Sequence, residues 1–242
     1  MNRFARELLS ALIPELCALC RQPVENSRDC PFCVDCLLKW EAAKREASKE
    51  ALGGVPTICF SDGEFGKALY LAFYDPGSPD HAPNALVYKL KHRATRSLMK
   101  FVADEYAGLL ERGVPELFDG TFDRDDVIVT WMPRRPESVL GYGYDHMELA
   151  AKELAKRCGF VYGKLLIRRK GSAEQKSLSA EQRLGNIGKS LAAADTDLGG
   201  KIVILIDDLV TTGVSMKVSE ELLLKAGARM VICAALLATR RK

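Results

Sequence analysis

Apolar and polar positions alternate along this chain in blocks that mark out most of its elements. Val127 to Trp131 (VIVTW) reads as a short apolar strand. Asp145 to Gly159 (DHMELAAKELAKRCG) reads as a helix, with Leu149, Leu154 and Ala155 on one side and Gly159 as its C-cap. A strand is expected around Val161 to Ile167, then a polar stretch from Arg168 to Ser190. Lys201 to Ile206 (KIVILI) predicts a strand that is apolar on both faces. Ser215 to Ala226 predicts a helix closed by Gly227, and Met230 to Leu236 (MVICAAL) a final strand.

Earlier in the chain, Leu69 to Phe73 predicts a strand and Asp75 to Asn84 (DPGSPDHAPN) a loop, and helical spacing resumes from Ala85 to about Leu110. Cys36 to Leu52 (CLLKWEAAKREASKEAL) is dense in helix formers and ends at Gly53 and Gly54. At the start, Phe4, Leu8, Leu9, Leu12 and Ile13 fall on one face of a short helix.

Strand, helix, strand with short connections predicts an α/β fold, an open and mainly parallel sheet with helices on both faces. Three parts are expected: an N-terminal helix and cysteine-rich head over 1–40, a helical connector over 41–56, and an α/β body over 57–242. There is no internal repeat or low-complexity tract.

Composition changes this picture little. With 242 residues, 48% of them hydrophobic, the chain can bury a real core, which excludes wholesale disorder. A net charge of +3 falls well short of a dedicated nucleic-acid binder. Basic residues cluster locally in Lys89 to Arg96 (KLKHRATR), Ile167 to Lys170, and Arg240, Arg241, Lys242. No apolar stretch approaches the about 20 residues that span a bilayer. Glu7 and Pro14 interrupt what would be a signal-peptide core, so a cytoplasmic protein is expected.

The cysteines add chemistry. Of eight, Cys17, Cys20, Cys30, Cys33 and Cys36 are bunched, while Cys59, Cys158 and Cys233 sit in apolar surroundings as core residues. In a reducing compartment such bunching favours metal ligation. Cys17-x2-Cys20 and Cys33-x2-Cys36 fit two knuckles giving four thiolates to a structural Zn²⁺, and a closed shell of that kind leaves no position for catalysis. Cys30 offers an alternative pairing, Cys30-x2-Cys33. The run Cys30, Cys33, Cys36 also has iron–sulfur spacing, but no Cys-Pro follows three residues on.

A second focus is Val203 to Ser215 (VILIDDLVTTGVS). It places two carboxylates at the end of a central parallel strand, where ligands of open α/β sheets sit. Thr211, Thr212, Gly213 and Ser215, followed by a helix N-terminus, could cradle a phosphate. Asp207 and Asp208, side by side, need hydroxyl donors or a divalent cation. Gly185 to Ser190 (GNIGKS) ends like a phosphate-binding P-loop, but Arg183 stands where the first glycine belongs and no strand precedes it. The lone histidines carry little. His81 is in a loop and His92 in the basic helix, while His146, near a helix start, could be a pocket-lining donor.

Taken together, ILIDDLVTTGVS resembles the phosphoribosyl-pyrophosphate (PRPP) signature of type I phosphoribosyltransferases. The rest resembles that superfamily's ComF branch: LIPELCALC, with CVDCLL as the second knuckle; LVYKLKHRATR; WMPRR; GYDHMELAAKELAKRCG; and the spaced Gln175, Leu178, Arg183 and Asn186. The matches run in order from Pro14 to Arg240. On this resemblance Cys33 and Cys36, not Cys30 and Cys33, complete the zinc set.

The resemblance implies that Asp207 and Asp208 engage ribose hydroxyls, directly or through Mg²⁺, and are the best candidates for catalytic residues. Thr211, Thr212, Gly213, Val214 and Ser215 would wrap the 5′-phosphate. Met132, Pro133, Arg134 and Arg135 would form a pyrophosphate loop, and Arg168, Arg169, Gln175, Arg183 and Asn186 would belong to a mobile loop that closes over the reacting centre and excludes water. The activity implied is transfer of a 5-phosphoribosyl group from PRPP to an unspecified acceptor. The alternative is a non-catalytic PRPP-sensing or scaffold protein assisting DNA uptake, with single-stranded DNA or uptake proteins as partners. Two departures stand out. Tyr142 replaces the arginine expected before Gly143, and Asp75 to Asn84 lengthens the hood.

Overall fold

Alternate residues of the strands face two different cores. The computed structural model describes residues 16–24, 30–51, 54–60, 66–78, 81–168 and 190–240. Its main sheet has the order β1-β2-β8-β7-β3-β4: β1 (Thr57–Cys59), β2 (Lys67–Tyr74), β3 (Val127–Trp131), β4 (Val161–Tyr162), β7 (Ile202–Val210) and β8 (Met230–Thr239). Every neighbouring pair is parallel except β1 and β2. A separate antiparallel pair joins β5 (Leu166–Arg168) to β6 (Leu191–Ala193).

On β7, Ile202, Ile204 and Ile206 enter one core with Val127, Val129 and Trp131 of β3, while Val203 and Leu205 enter the other. All five β7 side chains are buried, each contributing about 1.5–3 kcal/mol of burial free energy. The first core is covered by α1 (Val34–Glu50), α2 (Ala82–His92), α3 (Arg96–Gly113) and α5 (His146–Cys158). The second is covered by α6 (Val214–Lys225) through Met216 and Leu223. The expected mainly parallel α/β sheet with helices on both faces is therefore present.

Helix α1 joins the body through Trp40, which is fully buried with its ring centroid 6.4 Å from that of Phe101. Lys44 extends from the same helix to Glu105 of α3 at 2.8 Å. Trp131 ends β3, and α5 spans the expected helix, its start capped by Asp145 and its end by Gly159 in the left-handed region at φ 70°. A short α4 (Pro136–Tyr142) lies between them.

Five expectations change. Cys59 is not a core residue: it is exposed at the end of the edge strand β1, where Ile58 is the residue that faces inward. Helical structure begins at Ala82, not Ala85, because Pro83 fits a first turn that needs no N–H and Asn84 ties back to Ser78 O at 3.1 Å. The helix expected to run to Leu110 is two helices: the Tyr144 hydroxyl accepts from Ala94 N at 3.0 Å, and Thr95 Oγ1 accepts from Leu98 N to start α3. The strand expected over Val161 to Ile167 splits at Gly163, where a Cβ would lie 2.9 Å from Ile128 Cγ2, so β4 and β5 enter different sheets. Finally, β7 does not stop at Ile206. It carries Asp207 and Asp208 within the strand, since β8 extends to Thr239 and pairs Asp207 with Ala235 and Val210 with Ala238.

The expected N-terminal helix face, Phe4 to Ile13, and the polar stretch from Arg169 to Lys189 lie outside the described residues. No described helix is long and apolar enough to cross a membrane.

Candidate functional site

At the C-terminal ends of β3 and β7 a cavity of about 240 Å³ is lined by Asp207, Asp208, Ser215, Met132, Pro133, Arg134, Arg135 and Arg168, all sequence-predicted. Lys91, Ser138, His146 and Met147 complete its wall. Thr211, Thr212, Gly213 and Val214 stand beside it in the turn that leads into α6, the two threonines exposed. Arg169, Gln175, Arg183 and Asn186 lie outside the described residues.

The acidic pair divides its roles by environment. Asp208 is buried, and its Oδ2 faces His146 Nε2 at 2.8 Å and Lys91 Nζ at 3.0 Å. Burial alone would push this carboxyl up, but the hydrogen bond from His146 and the Lys91 charge outweigh it and hold Asp208 below the usual carboxylate range. Asp207 goes the other way: burial, reinforced by the Asp208 charge, pushes it well above that range. Asp207 Oδ1 accepts the Asp208 N–H at 2.9 Å, and the buried Tyr106 hydroxyl donates to Asp207 O at 2.6 Å. Two adjacent carboxylates thus coexist because one is held ionised and the other favours its proton.

Asp145 positions the opposite wall. Its Oδ1 accepts the N–H groups of Met147 and Glu148, capping α5. Its Oδ2 accepts from Trp131 Nε1 at 3.1 Å and Arg134 N at 3.3 Å, fixing the start of the 132–135 loop. The Arg134 guanidinium lies 5.0 Å from the ring centroid of Tyr142, the residue standing where arginine was expected. Arg168 Nη1 donates to Pro133 O at 3.3 Å, bringing β5 against that loop.

The 211–215 turn is shaped by Gly213. Its φ of 77° is in the left-handed region, and a Cβ there would lie 2.4 Å from Phe60 Cδ1. Helix α6 starts directly after it, and no side chain among the described residues caps its first N–H groups, which point where an anion could meet them.

Sequence reasoning passed over Lys91 and Asp145. Lys91 lies in the basic stretch KLKHRATR, which by itself names no partner for the charge. Asp145 had the signature of an N-cap, an Asp just ahead of an amphipathic run.

Away from this cavity, the Sγ atoms of Cys17, Cys20, Cys33 and Cys36 all lie within 4.8 Å of one another. Ideal tetrahedral ligation at about 2.3 Å places thiolates about 3.8 Å apart, so the set could hold zinc. Cys30 is outside the set and packs against the first core. Leu19 N donates to Cys17 Sγ at 3.4 Å. Burial pushes the Cys17 thiol up, but the N–H groups of Cys20, Cys33 and Leu19 outweigh it and bring it down to about 7.

No curated protein matches the chain. Among solved structures, adenine phosphoribosyltransferase from Saccharomyces cerevisiae is 15% identical at a TM-score of 0.38, covering 84% of this chain and 88% of that one. The glutamine PRPP amidotransferase from B. subtilis is 21% identical at a TM-score of 0.33, over 65% of this chain. An allosteric regulatory enzyme of purine biosynthesis is 21% identical at 0.34, over 66% of this chain. The chain spans only 28% of the length of each of the last two. The family model for the phosphoribosyl transferase domain matches residues 143–242, from the Gly143 cap through α5 and the acidic pair to Lys242.

Proposed function

We propose that this protein binds PRPP with Mg²⁺ and transfers its 5-phosphoribosyl group to a nucleophile, releasing pyrophosphate. The observation that carries the reading is one cavity lined by both carboxylates, Ser215 and the whole 132–135 loop, inside or beside the segment that matches the phosphoribosyl transferase domain.

In this reading the ribose hydroxyls donate to Asp207 and Asp208, and the N–H groups at the start of α6, with the hydroxyls of Thr211, Thr212 and Ser215, hold the 5′-phosphate. Arg134 and Arg135 supply positive charge to the pyrophosphate, and the segment from Arg168 through Arg169, Gln175, Arg183 and Asn186 closes over the site. Two adjacent carboxylates are oxygen donors of the kind Mg²⁺ takes, and its charge would help the pyrophosphate leave. Lys91 must loosen from Asp208 for that carboxylate to serve the ligand. Displacing pyrophosphate asks for charge neutralisation and positioning more than proton transfer.

A second reading, a PRPP sensor of the ComF kind without turnover, is favoured by Tyr142 at the expected arginine position. Titration calorimetry with PRPP and Mg²⁺, followed by a pyrophosphate-release assay over a panel of amines and bases, separates the two. The transferase gives saturable binding, lost in the double variant Asp207→Asn, Asp208→Asn, and acceptor-dependent release. Binding without release supports the sensor, and absence of binding overturns both.

A further inference from the structure

A larger cavity, of about 880 Å³, lies beside the carboxylate site and shares a wall with it. Lys91 lines both, with its Nζ on Asp208. The larger cavity runs along α2 from Ala82 and Asn84 to Lys91, with Tyr74 and Leu209 contributed by the C-terminal halves of β2 and β7. Leu19, Cys20, Cys36 and Lys39 close it from the side of the cysteine cluster.

Its size is that of a small-molecule site, about 300–1,000 Å³, and its chemistry is one-sided. Among the described residues lining it there are three lysines, Lys39, Lys89 and Lys91, and no carboxylate. Lys39 and Lys89 make no ion pair among the described residues. A cavity with cations and no internal acid favours an anion. Apart from Asn84 and the thiols of Cys20 and Cys36, the remaining wall is apolar or aromatic, with Tyr74, Tyr88, Val87 and Leu209. Tyr88 is already held in a ring contact, its centroid 4.2 Å from that of His92. Such walls suit a flat ring.

Building on the donor reading above, we propose that this cavity is the acceptor chamber and takes a planar aromatic carboxylate. The carboxylate meets Lys89 and Lys91 and the ring lies between the tyrosines and Leu209. Lys91 then exchanges Asp208 for the acceptor's carboxylate, which frees Asp208 for the ribose at the moment both substrates are present. The cavity would in this way couple acceptor binding to completion of the donor site.

The test uses the full chain and two matched probes, benzoate and the neutral benzamide, followed by ligand-observed NMR titration with and without PRPP and Mg²⁺. Benzoate is expected to bind roughly fivefold or more tightly than benzamide, to lose that preference in Lys89→Met, and to remain bound when PRPP saturates. Equal binding of the two probes, a preference unchanged in Lys89→Met, or displacement of benzoate by PRPP would each overturn the proposal. PRPP binding is measured separately by calorimetry. Its absence, with the benzoate preference intact, would sink the transferase reading and the chamber's role as acceptor site while leaving the anion preference standing.

Discussion

Asp207 and Asp208 show how one residue's neighbours decide what its twin can be. From sequence, the pair was an electrostatic problem to be solved by a ligand. In the structure, Lys91 and His146 already solve half of it by holding Asp208 ionised. Asp207, raised by burial and by that same charge, carries the unresolved half. The sign follows from proton linkage: below the unfolded carboxylate pKa of about 4 both states are protonated and Asp207 costs nothing, whereas above it the native state holds a proton the unfolded state has lost, so stability falls as pH rises. Asp207→Asn keeps the Oδ1 that accepts the Asp208 N–H and removes the titration. It should therefore raise the melting temperature by about 2–4 °C at pH 7, a gain on the order of 1 kcal/mol, which shrinks toward zero near pH 4. Asp208 has the opposite linkage. Its stabilisation is present above pH about 4 and is lost as pH falls through its depressed native pKa, so His146→Ala should shift the acid unfolding midpoint upward, as followed by circular dichroism.

Elements with a strong period were legible and their joints were not. VIVTW and the helix from His146 to Cys158 appear with the expected bounds because apolar spacing and the Gly159 cap are local signals. The continuation of β7 through the carboxylates was hidden, since it depends on a partner strand, β8, that offers backbone groups as far as Thr239. The break between α2 and α3 was hidden for a similar reason: part of what satisfies it is the hydroxyl of Tyr144, 50 residues away. Site residues in compact motifs were readable, while Lys91 required the tertiary fold to bring α2 over β7. The turn at Gly213 has both a local and a distant constraint, its positive φ and the Phe60 ring. Gly213→Ala should cost about 1–3 kcal/mol in urea unfolding. Adding Phe60→Leu should relieve only the part due to the clash, leaving the backbone strain.

At the scale of the molecule, the question is what ties the cysteine cluster to the sheet. Cys33 sits at the N-cap position of α1 and Cys36 lies in its first turn, and the same helix buries Trp40, Ala43 and Ala47 in the body. Cys17 itself belongs to the first core, beside Phe32, whose ring centroid is 4.6 Å from that of Phe101 on α3. A zinc ion held by the four thiolates would fasten the 17–23 loop to the start of α1, adding to the packing of Cys17, Ala18 and Leu19 on the first core, one β-bridge from Leu16 to Pro23, and backbone hydrogen bonds such as Cys17 N to Gln22 O at 2.7 Å. Purified protein should contain one zinc per chain by elemental analysis. Cys33→Ser should lose it and Cys30→Ser should retain it, because Cys30 packs against the core outside the cluster. Chelation should lower the melting temperature by about 5 °C or more, roughly 2 kcal/mol at this chain length. Because Leu19, Cys20, Cys36 and Lys39 also wall the large cavity, zinc removal should weaken benzoate binding as well. Zinc-free protein with unchanged stability and unchanged binding would show that the cluster is four reduced thiols and that packing alone holds the loop.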